Sequence, residues 1–243
     1  MPRARRDEVN YKYKVGKMQK IKMFLIIKDE SERVKGKNFR DIDGLPLHEY
    51  FIKRRGAFDI YIDTDSQRIL DFYSDESKWP NVTVYKRLQK HIEIEAAGDV
   101  SPASLMIERF LNEYVVENEI VVTSHITSPF IKDHTINQAI GLMDIYDSVS
   151  SVLSVQEFVV QGVGSRCEPI NFDPTKIVKT QSLQPIGVLN GAFFIIRKNI
   201  FLKNGLRRIS DNHFYFQIDP IQAIDIDTED DLFIARCIAK GVK

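Results

Sequence analysis

The chain has 243 residues, 43% hydrophobic and 28% charged, which is enough apolar material for one large domain and confines disorder to the ends. Lys plus Arg equals Asp plus Glu at 34 each, which excludes a generally polybasic protein that coats nucleic acid or an anionic membrane. Past the first turn of chain no window approaches the roughly 18 apolar residues of a membrane span, and Cys167 and Cys237 stand far apart with no Cys-x-x-Cys, so a soluble, cytoplasmic protein without zinc or disulfides is expected.

Residues 1–22 carry Arg3, Arg5, Arg6, Lys12, Lys14, Lys17, Lys20 and Lys22 against Asp7 and Glu8, which leaves this stretch at +6 and the remainder at −6. It has no apolar core for secretion and reads as a solvated tail, with a targeting or nucleic-acid arm as the alternative. The domain is expected over 23–243. Short β-branched or aromatic runs predict strands over 23–27, 58–62, 82–85, 120–124, 150–155 and 187–196. Amphipathic segments between them predict helices over 45–54, 66–77, 101–117, 135–146 and 230–240. Two helix starts carry chemical signals: Ser101 before Pro102, and Thr228 before three acids that favour the positive end of a helix. The strands are too apolar to leave one face in water, so a mostly parallel sheet covered on both sides is expected, with ligands at its carboxyl edge. The stretch 157–184, rich in Gly, Pro and polar residues, reads as an excursion from the sheet that could form a dimer contact.

A polar loop, Ile27-Lys28-Asp29-Glu30-Ser31-Glu32-Arg33-Val34-Lys35-Gly36-Lys37-Asn38, follows the first expected strand. Phosphoryl chemistry needs cations and donors around a polyanion, and Lys28, Arg33, Lys35, Lys37 and the Ser31 hydroxyl provide them. The sequence lacks Gly-x-x-x-x-Gly-Lys-Ser/Thr, which excludes a standard P-loop. At the end of the second strand, Asp63-Thr64-Asp65-Ser66 reads as a metal-binding pair or, in preference, as a helix cap. Arg87 lies just past the third strand as a surface arginine or a ligand contact. His125-Ile126-Thr127-Ser128-Pro129 follows the fourth strand, and its Thr-Ser-Pro makes a good turn by itself. His125 is either a structural histidine or a substrate contact whose charge can change. Near the carboxyl end, strand alternation over Asp225-Ile226-Asp227 turns both acids to one side, where two hard carboxylates can hold Mg²⁺; capping accounts for Asp227 and not for Asp225.

These segments, in this order, resemble the CMP-sialic acid and related CMP-ulosonic acid synthetases (acylneuraminate cytidylyltransferases). Ser31, Lys37 and Asn38 match the family's phosphate-wrapping loop. Lys28 stands in place of its arginine, Asp29-Glu30 in place of small residues and Glu32 in place of a lysine, while Ser31-x-Arg33-x-x-Gly36-Lys37 is similar to the octulosonate branch. Lys86-Arg87 and Asp99-Val100-Ser101 look like the segments around cytosine and ribose, and His125 takes the place of a glutamine that touches the sugar. Asn190-Gly191-Ala192-Phe193-Phe194-Ile195 resembles the sugar-binding strand, with Phe194 for a tyrosine. Asp225-Ile226-Asp227-Thr228-Glu229 resembles the family's Asp-Ile-Asp-Thr-Glu, and Tyr146–Val152 and Gln181–Pro185 resemble further segments.

The resemblance implies a three-layer Rossmann-like nucleotidyltransferase fold, a homodimer joined through the excursion, and transfer of CMP from CTP to an acidic 2-keto-3-deoxy sugar with Mg²⁺. It implies that Lys37, Arg33, Asp225 and Asp227 carry the chemistry, with the metal on the two aspartates. Lys28, Ser31, Asn38, Arg87 and Ser101 would hold the nucleotide; His125, Thr127, Ser128, Asn190, Phe194 and Gln181 would hold the sugar. Three other readings stay open: a nucleotidylyltransferase for another acceptor such as a phosphonate, motivated by His125 and Phe194; a non-catalytic binding module, motivated by the acids of the phosphate loop; and a sugar-transferring enzyme with a metal-binding Asp-x-Asp, which predicts a nucleotide-sugar donor instead of free CTP.

Overall fold

The computed structural model describes residues 20–98, 101–176 and 178–241. In chain order these form β1 (Ile21–Ile27), β2 (Asp41–Ile42), β3 (Leu45–Pro46), α1 (Leu47–Ile52), β4 (Phe58–Thr64), α2 (Gln67–Phe72), β5 (Val82–Lys86), α3 (Gln89–Ala97) and α4 (Ala103–Tyr114). The chain continues through β6 (Ile120–Ser124), α5 (Asp133–Ile140), β7 (Ser148–Val155), β8 (Val160–Gln161), β9 (Glu168–Pro169), β10 (Ile186–Arg197), α6 (Lys198–Lys203), β11 (His213–Ile218) and α7 (Glu229–Gly241). Seven strands make one sheet in the order β11-β7-β10-β6-β1-β4-β5. Only β10 runs against its neighbours, β6 and β7; every other pairing is parallel. The fold is α/β with a mostly parallel central sheet.

Alternation along β1 explains the layers. Met23, Leu25 and Ile27 point into the larger core with α1, α2 and α5, while Phe24 faces the other way and stacks on Phe110 of α4, ring centroids 4.9 Å apart. On α4 the buried side chains are Met106, Ile107, Phe110 and Leu111, the spacing of one apolar helical face. A third cluster joins the loop after β1 to the carboxyl-terminal helix: Val34, Ile42, Leu47, Phe130, Ile226 and Leu232 pack together.

The sequence-based boundaries need several corrections. β1 begins at Ile21 rather than 23, because Lys22 is a buried strand residue whose ammonium pairs with Glu119 at 2.8 Å; residues 1–19 of the expected tail lie outside the described residues. The helix expected over 45–54 starts later, since Leu45–Pro46 pairs with Asp41–Ile42 in a small hairpin. The helix expected over 66–77 ends at Phe72, and that over 135–146 closes in a 3-10 turn, Gly141–Asp144. α3, α6 and β11 are additional elements; β11 alternates partly buried His213, Phe214 and Phe216 with exposed Tyr215 and Gln217 on the sheet edge. Residues 157–184 lie off the main sheet and carry the β8–β9 hairpin and the turn Thr180–Ser182.

Topology opens a crevice at one end of the sheet. From β1 the chain first builds β4 and β5 on one side and then crosses to place β6 on the other, so the connections after β1 and β6 part company and open a crevice at the carboxyl ends.

Candidate active site

The loop after β1 enters that crevice as the sequence expects, and its geometry follows from three local devices. Gly36 adopts φ 61° and starts a 3-10 turn, Lys37–Phe39, where the left-handed backbone suits glycine. Asn38 is buried and its amide donates to the Lys28 carbonyl at 2.7 Å, closing the loop on itself. Val34, fully buried, pins the loop against Ile226.

The acidic segment meets this loop. Asp225 and Asp227 lie on an irregular connection rather than in a strand, so strand alternation is not what orients them. A single tertiary bond does so: the Ile226 amide donates to the Thr127 carbonyl at 2.8 Å, while the Ile226 side chain is buried below. The flanking acids thereby face the crevice. Arg33 Nη2 donates to Asp227 Oδ1 at 2.7 Å; Lys37 Nζ reaches the same oxygen at 3.2 Å and the Ile226 carbonyl at 2.7 Å. Arg40 grips Glu229 through two nitrogens at 2.8 and 3.0 Å, and Thr228 and Asp231 cap α7 reciprocally, the Thr228 amide donating at 2.7 Å and the Asp231 amide at 3.2 Å.

Asp225 differs from Asp227. Its Oδ1 is buried without a hydrogen-bond partner among the described residues. Burial pushes its pKa above the ordinary carboxylate value, a bond from the Thr127 hydroxyl opposes this, and the negative charge of Asp227 adds to the rise. Two adjacent carboxylates, one with an unused inward oxygen, make a donor set that suits a hard divalent cation.

β6 and β10 supply the opposite wall. His125 opens to solvent from the crevice floor. Dense protein around the ring, then the charge of Arg208, hold its pKa at about 4, with Asp227 opposing; the imidazole is neutral at pH 7. Gly191, at φ 73° in the bulge where β10 slips against β7, brings bare backbone to the ring: a Cβ there would lie 3.2 Å from His125 Nδ1. Asn190 accepts from Ser151 at 2.7 Å and from the Ala192 amide at 3.2 Å, while its Nδ2 is buried with no partner among the described residues. Ser128 Oγ is likewise buried and unpartnered.

Other expected ligand residues stand elsewhere. Arg87 is buried beneath the loop: Nε donates to Asp63 at 2.8 Å, and Nη1 to Glu95 at 3.0 Å and Asp65 at 3.3 Å. Lys28 pairs with Glu95 in the same network. Ser66 holds the N-cap position of α2, yet its hydroxyl donates to Asp29 instead of capping, and the Asp29 amide donates to Asp65 at 2.8 Å. Asp29 is thus a strut of the loop. Ser31 is half-buried on the loop. Ser101 is exposed and accepts from the Ala103 amide at 3.4 Å, while Asp99 and Val100 lie outside the described residues. Gln181 sits on an exposed turn, its carbonyl accepting from Gln156 at 3.2 Å. Phe194 is buried, with the Arg208 guanidinium 3.9 Å above its ring centroid. Sequence reasoning missed Arg208, because it lies in an irregular connection with no motif around it.

Comparison with known proteins identifies the family. The cytidylyltransferase family profile matches residues 29–220. N-acylneuraminate cytidylyltransferases of Streptococcus agalactiae serotypes V and III are each 26% identical over 215 residues, covering 83% of this chain and 49% of theirs; the chain spans about half the length of these curated relatives. Among solved structures, a CMP:2-keto-3-deoxy-manno-octonic acid synthetase complexed with CTP superposes with a TM-score of 0.61 at 14% identity, over 93% of this chain and 100% of that one. A 4-diphosphocytidyl-2C-methyl-D-erythritol synthase from Anaerococcus prevotii gives 0.61 at 13% identity, over 91% and 96%.

Proposed function

The chain belongs to the cytidylyltransferase family, and from that premise we propose that it transfers CMP from CTP to the anomeric hydroxyl of an acidic 2-keto-3-deoxy sugar and releases pyrophosphate. The observation that carries this reading is the convergence of Arg33 and Lys37 on Asp227, beside Asp225, in the crevice that His125 and Asn190 also line. The sugar oxygen forms a bond to the α-phosphorus as the bond to the pyrophosphate oxygen breaks, and the hydroxyl proton passes to solvent water. Positioning and charge neutralisation supply most of such a rate.

In this reading Arg33 and Lys37 exchange their hold on Asp227 for phosphate oxygens, giving charge-assisted bonds where negative charge builds up. Asp225 and Asp227 would hold Mg²⁺, as the orphaned Asp225 oxygen fits, and the ion would supply further neutralisation of the phosphates. His125, neutral at pH 7 with its pKa lowered, orients the sugar by hydrogen bonding. Asn190 Nδ2 is a free donor for a sugar oxygen. Loop closure through Asn38 keeps the cations in register.

A homodimer is part of the proposal, supported by exposed Phe158, Val160, Val163, Ile170 and Val188 on and beside the excursion. No described helix is long and apolar enough to cross a membrane, and free, exposed Cys167 and Cys237 fit a reducing cytoplasm. The test is pyrophosphate release from CTP and Mg²⁺ across sialic, legionaminic, pseudaminic and octulosonic acids. Turnover with one of them supports the proposal; silence with all, together with no CTP binding by calorimetry, removes it. The loss of a tyrosine hydroxyl at Phe194 favours, as second reading, a different acceptor such as a phosphonate, which the same assay separates. A purely binding role is less well supported, since Asp29 is turned into the Ser66 contact instead of the phosphate path.

A further inference from the structure

Among the described residues the fully buried arginines are paired with acids, and the half-buried Arg197, Lys198 and Arg236 donate to backbone carbonyls. Arg55 meets Asp133 at 3.1 Å and Arg87 meets Asp63 at 2.8 Å. Arg208, partly buried on the connection between α6 and β11, makes no ion pair or hydrogen bond among the described residues; its contact is the Phe194 ring, 3.9 Å from the guanidinium carbon. Burial lowers its pKa, and no carboxylate stands near enough to oppose that fall. A desolvated guanidinium without a counter-ion is costly to maintain, and stacking on one aromatic face leaves its in-plane donors unspent.

The surroundings say where those donors lead. Arg208 lies close enough to His125 to be the chief charge acting on that ring, and His125 rests on Gly191 of β10. Asn190, beside that glycine, has an Nδ2 with no partner among the described residues, and Phe194 on the same strand carries the arginine. Three donor groups therefore surround the acceptor half of the crevice, and the only full charge they bring is positive. The phosphate half has its own cations, Arg33 and Lys37.

We infer that Arg208 is the receptor for the acceptor's carboxylate, engaging it through the planar fork of its guanidinium while Phe194 holds that plane. The inference rests on the proposed function for the identity of the acceptor, and it adds the residue that makes the site demand an acid. A fork of parallel N–H groups matches two carboxylate oxygens, and a charged bond of this kind is worth about 10- to 100-fold in affinity. Lysine at the same place would restore charge without the fork.

The experiment compares wild type, Arg208→Lys and Arg208→Met. Calorimetry reads the binding of N-acetylneuraminate, 3-deoxy-manno-octulosonate and their C1 amides to enzyme holding a non-hydrolysable CTP analogue; steady-state kinetics read KM for acid and for CTP. Arg208→Met is expected to weaken acid binding about 10- to 100-fold, leave KM for CTP within about twofold, and erase the preference for acid over amide, with partial recovery in Arg208→Lys. Thermal melting of each variant checks that it is folded. Equal weakening of acid and amide, or unchanged acid binding in a folded Arg208→Met, overturns the assignment, as does a wild type that binds neither acid. If wild type binds an acid without turnover, the proposed reaction fails while the variants still decide the role of Arg208.

Discussion

Asp225→Asn separates what this site needs for function from what the fold needs for stability. The inward Oδ1 of Asp225 is buried without a partner, and Asp227 lies close enough to raise its pKa further. With its pKa raised on folding, the ionised group opposes the native state at pH 7, and stability improves as pH falls through its folded pKa. Replacing the carboxylate by an amide removes the charge and leaves an oxygen to accept from Thr127. The amide Nδ2 takes over the unpartnered position, so the gain comes from removing a desolvated charge beside Asp227, and about 1 kcal/mol, or about 2–4 °C in melting temperature for a chain of this size, is expected. Differential scanning calorimetry at pH 7 without metal should therefore find the variant melting higher than wild type. Adding Mg²⁺ and CTP should stabilise wild type much more than the variant, and pyrophosphate release should fall by at least about 100-fold. A variant that melts lower without metal, or that gains as much from Mg²⁺ and CTP as wild type does, would refute the reasoning.

Lys37→Met should lower kcat by about 100-fold or more in a pyrophosphate assay and cost about 1–3 kcal/mol in urea titration, because it strands the carbonyl of buried Ile226 while Asp227 stays paired with Arg33. Arg87→Met, by contrast, should destabilise by about 3–5 kcal/mol in urea titration, since it strands fully buried Asp63; a folded variant defective only in CTP binding would restore the direct nucleotide contact. Gly191→Ala puts a side chain at φ 73° and 3.2 Å from His125, so a loss of about 1–3 kcal/mol by calorimetry and a raised KM for the acceptor, not for CTP, are expected. His48 is buried against Tyr73 at 2.8 Å with its pKa lowered by burial to about 4. The unfolded chain takes up that proton near pH 6.5, so the stability is complete above pH 6.5 and declines as pH falls toward 4, by roughly 3 kcal/mol in all. Urea titrations of His48→Phe across this range should show a shallower decline than wild type.

The strand at 120–124 and the helix near 230–240 were legible because their apolar spacing and caps are local properties of the chain. α3 was not, since only His91 of its face is buried and its pattern is polar almost all round. Among the candidate site residues, Arg33, Lys37, Asp225 and Asp227 announced themselves through charged residues in short motifs beside strand ends. Arg87 misleads at that level: its position after β5 is the same whether it meets a base or, as found, three buried or half-buried acids.

From the order of amino acids alone come the alternation of strand and helix, the cationic turn after β1, and the pairing of acids near the carboxyl end, since each depends on neighbours within a few residues. Only the folded chain settles which charges are spent and which are free: Lys28 and Arg87 are consumed by Glu95 and its neighbours, whereas Arg208 is left with an aromatic ring and an unpaired fork. The reason is physical. Solvation and counter-ions are set by residues far away along the chain and close in space, so the same side chain is a strut in one place and a ligand in another.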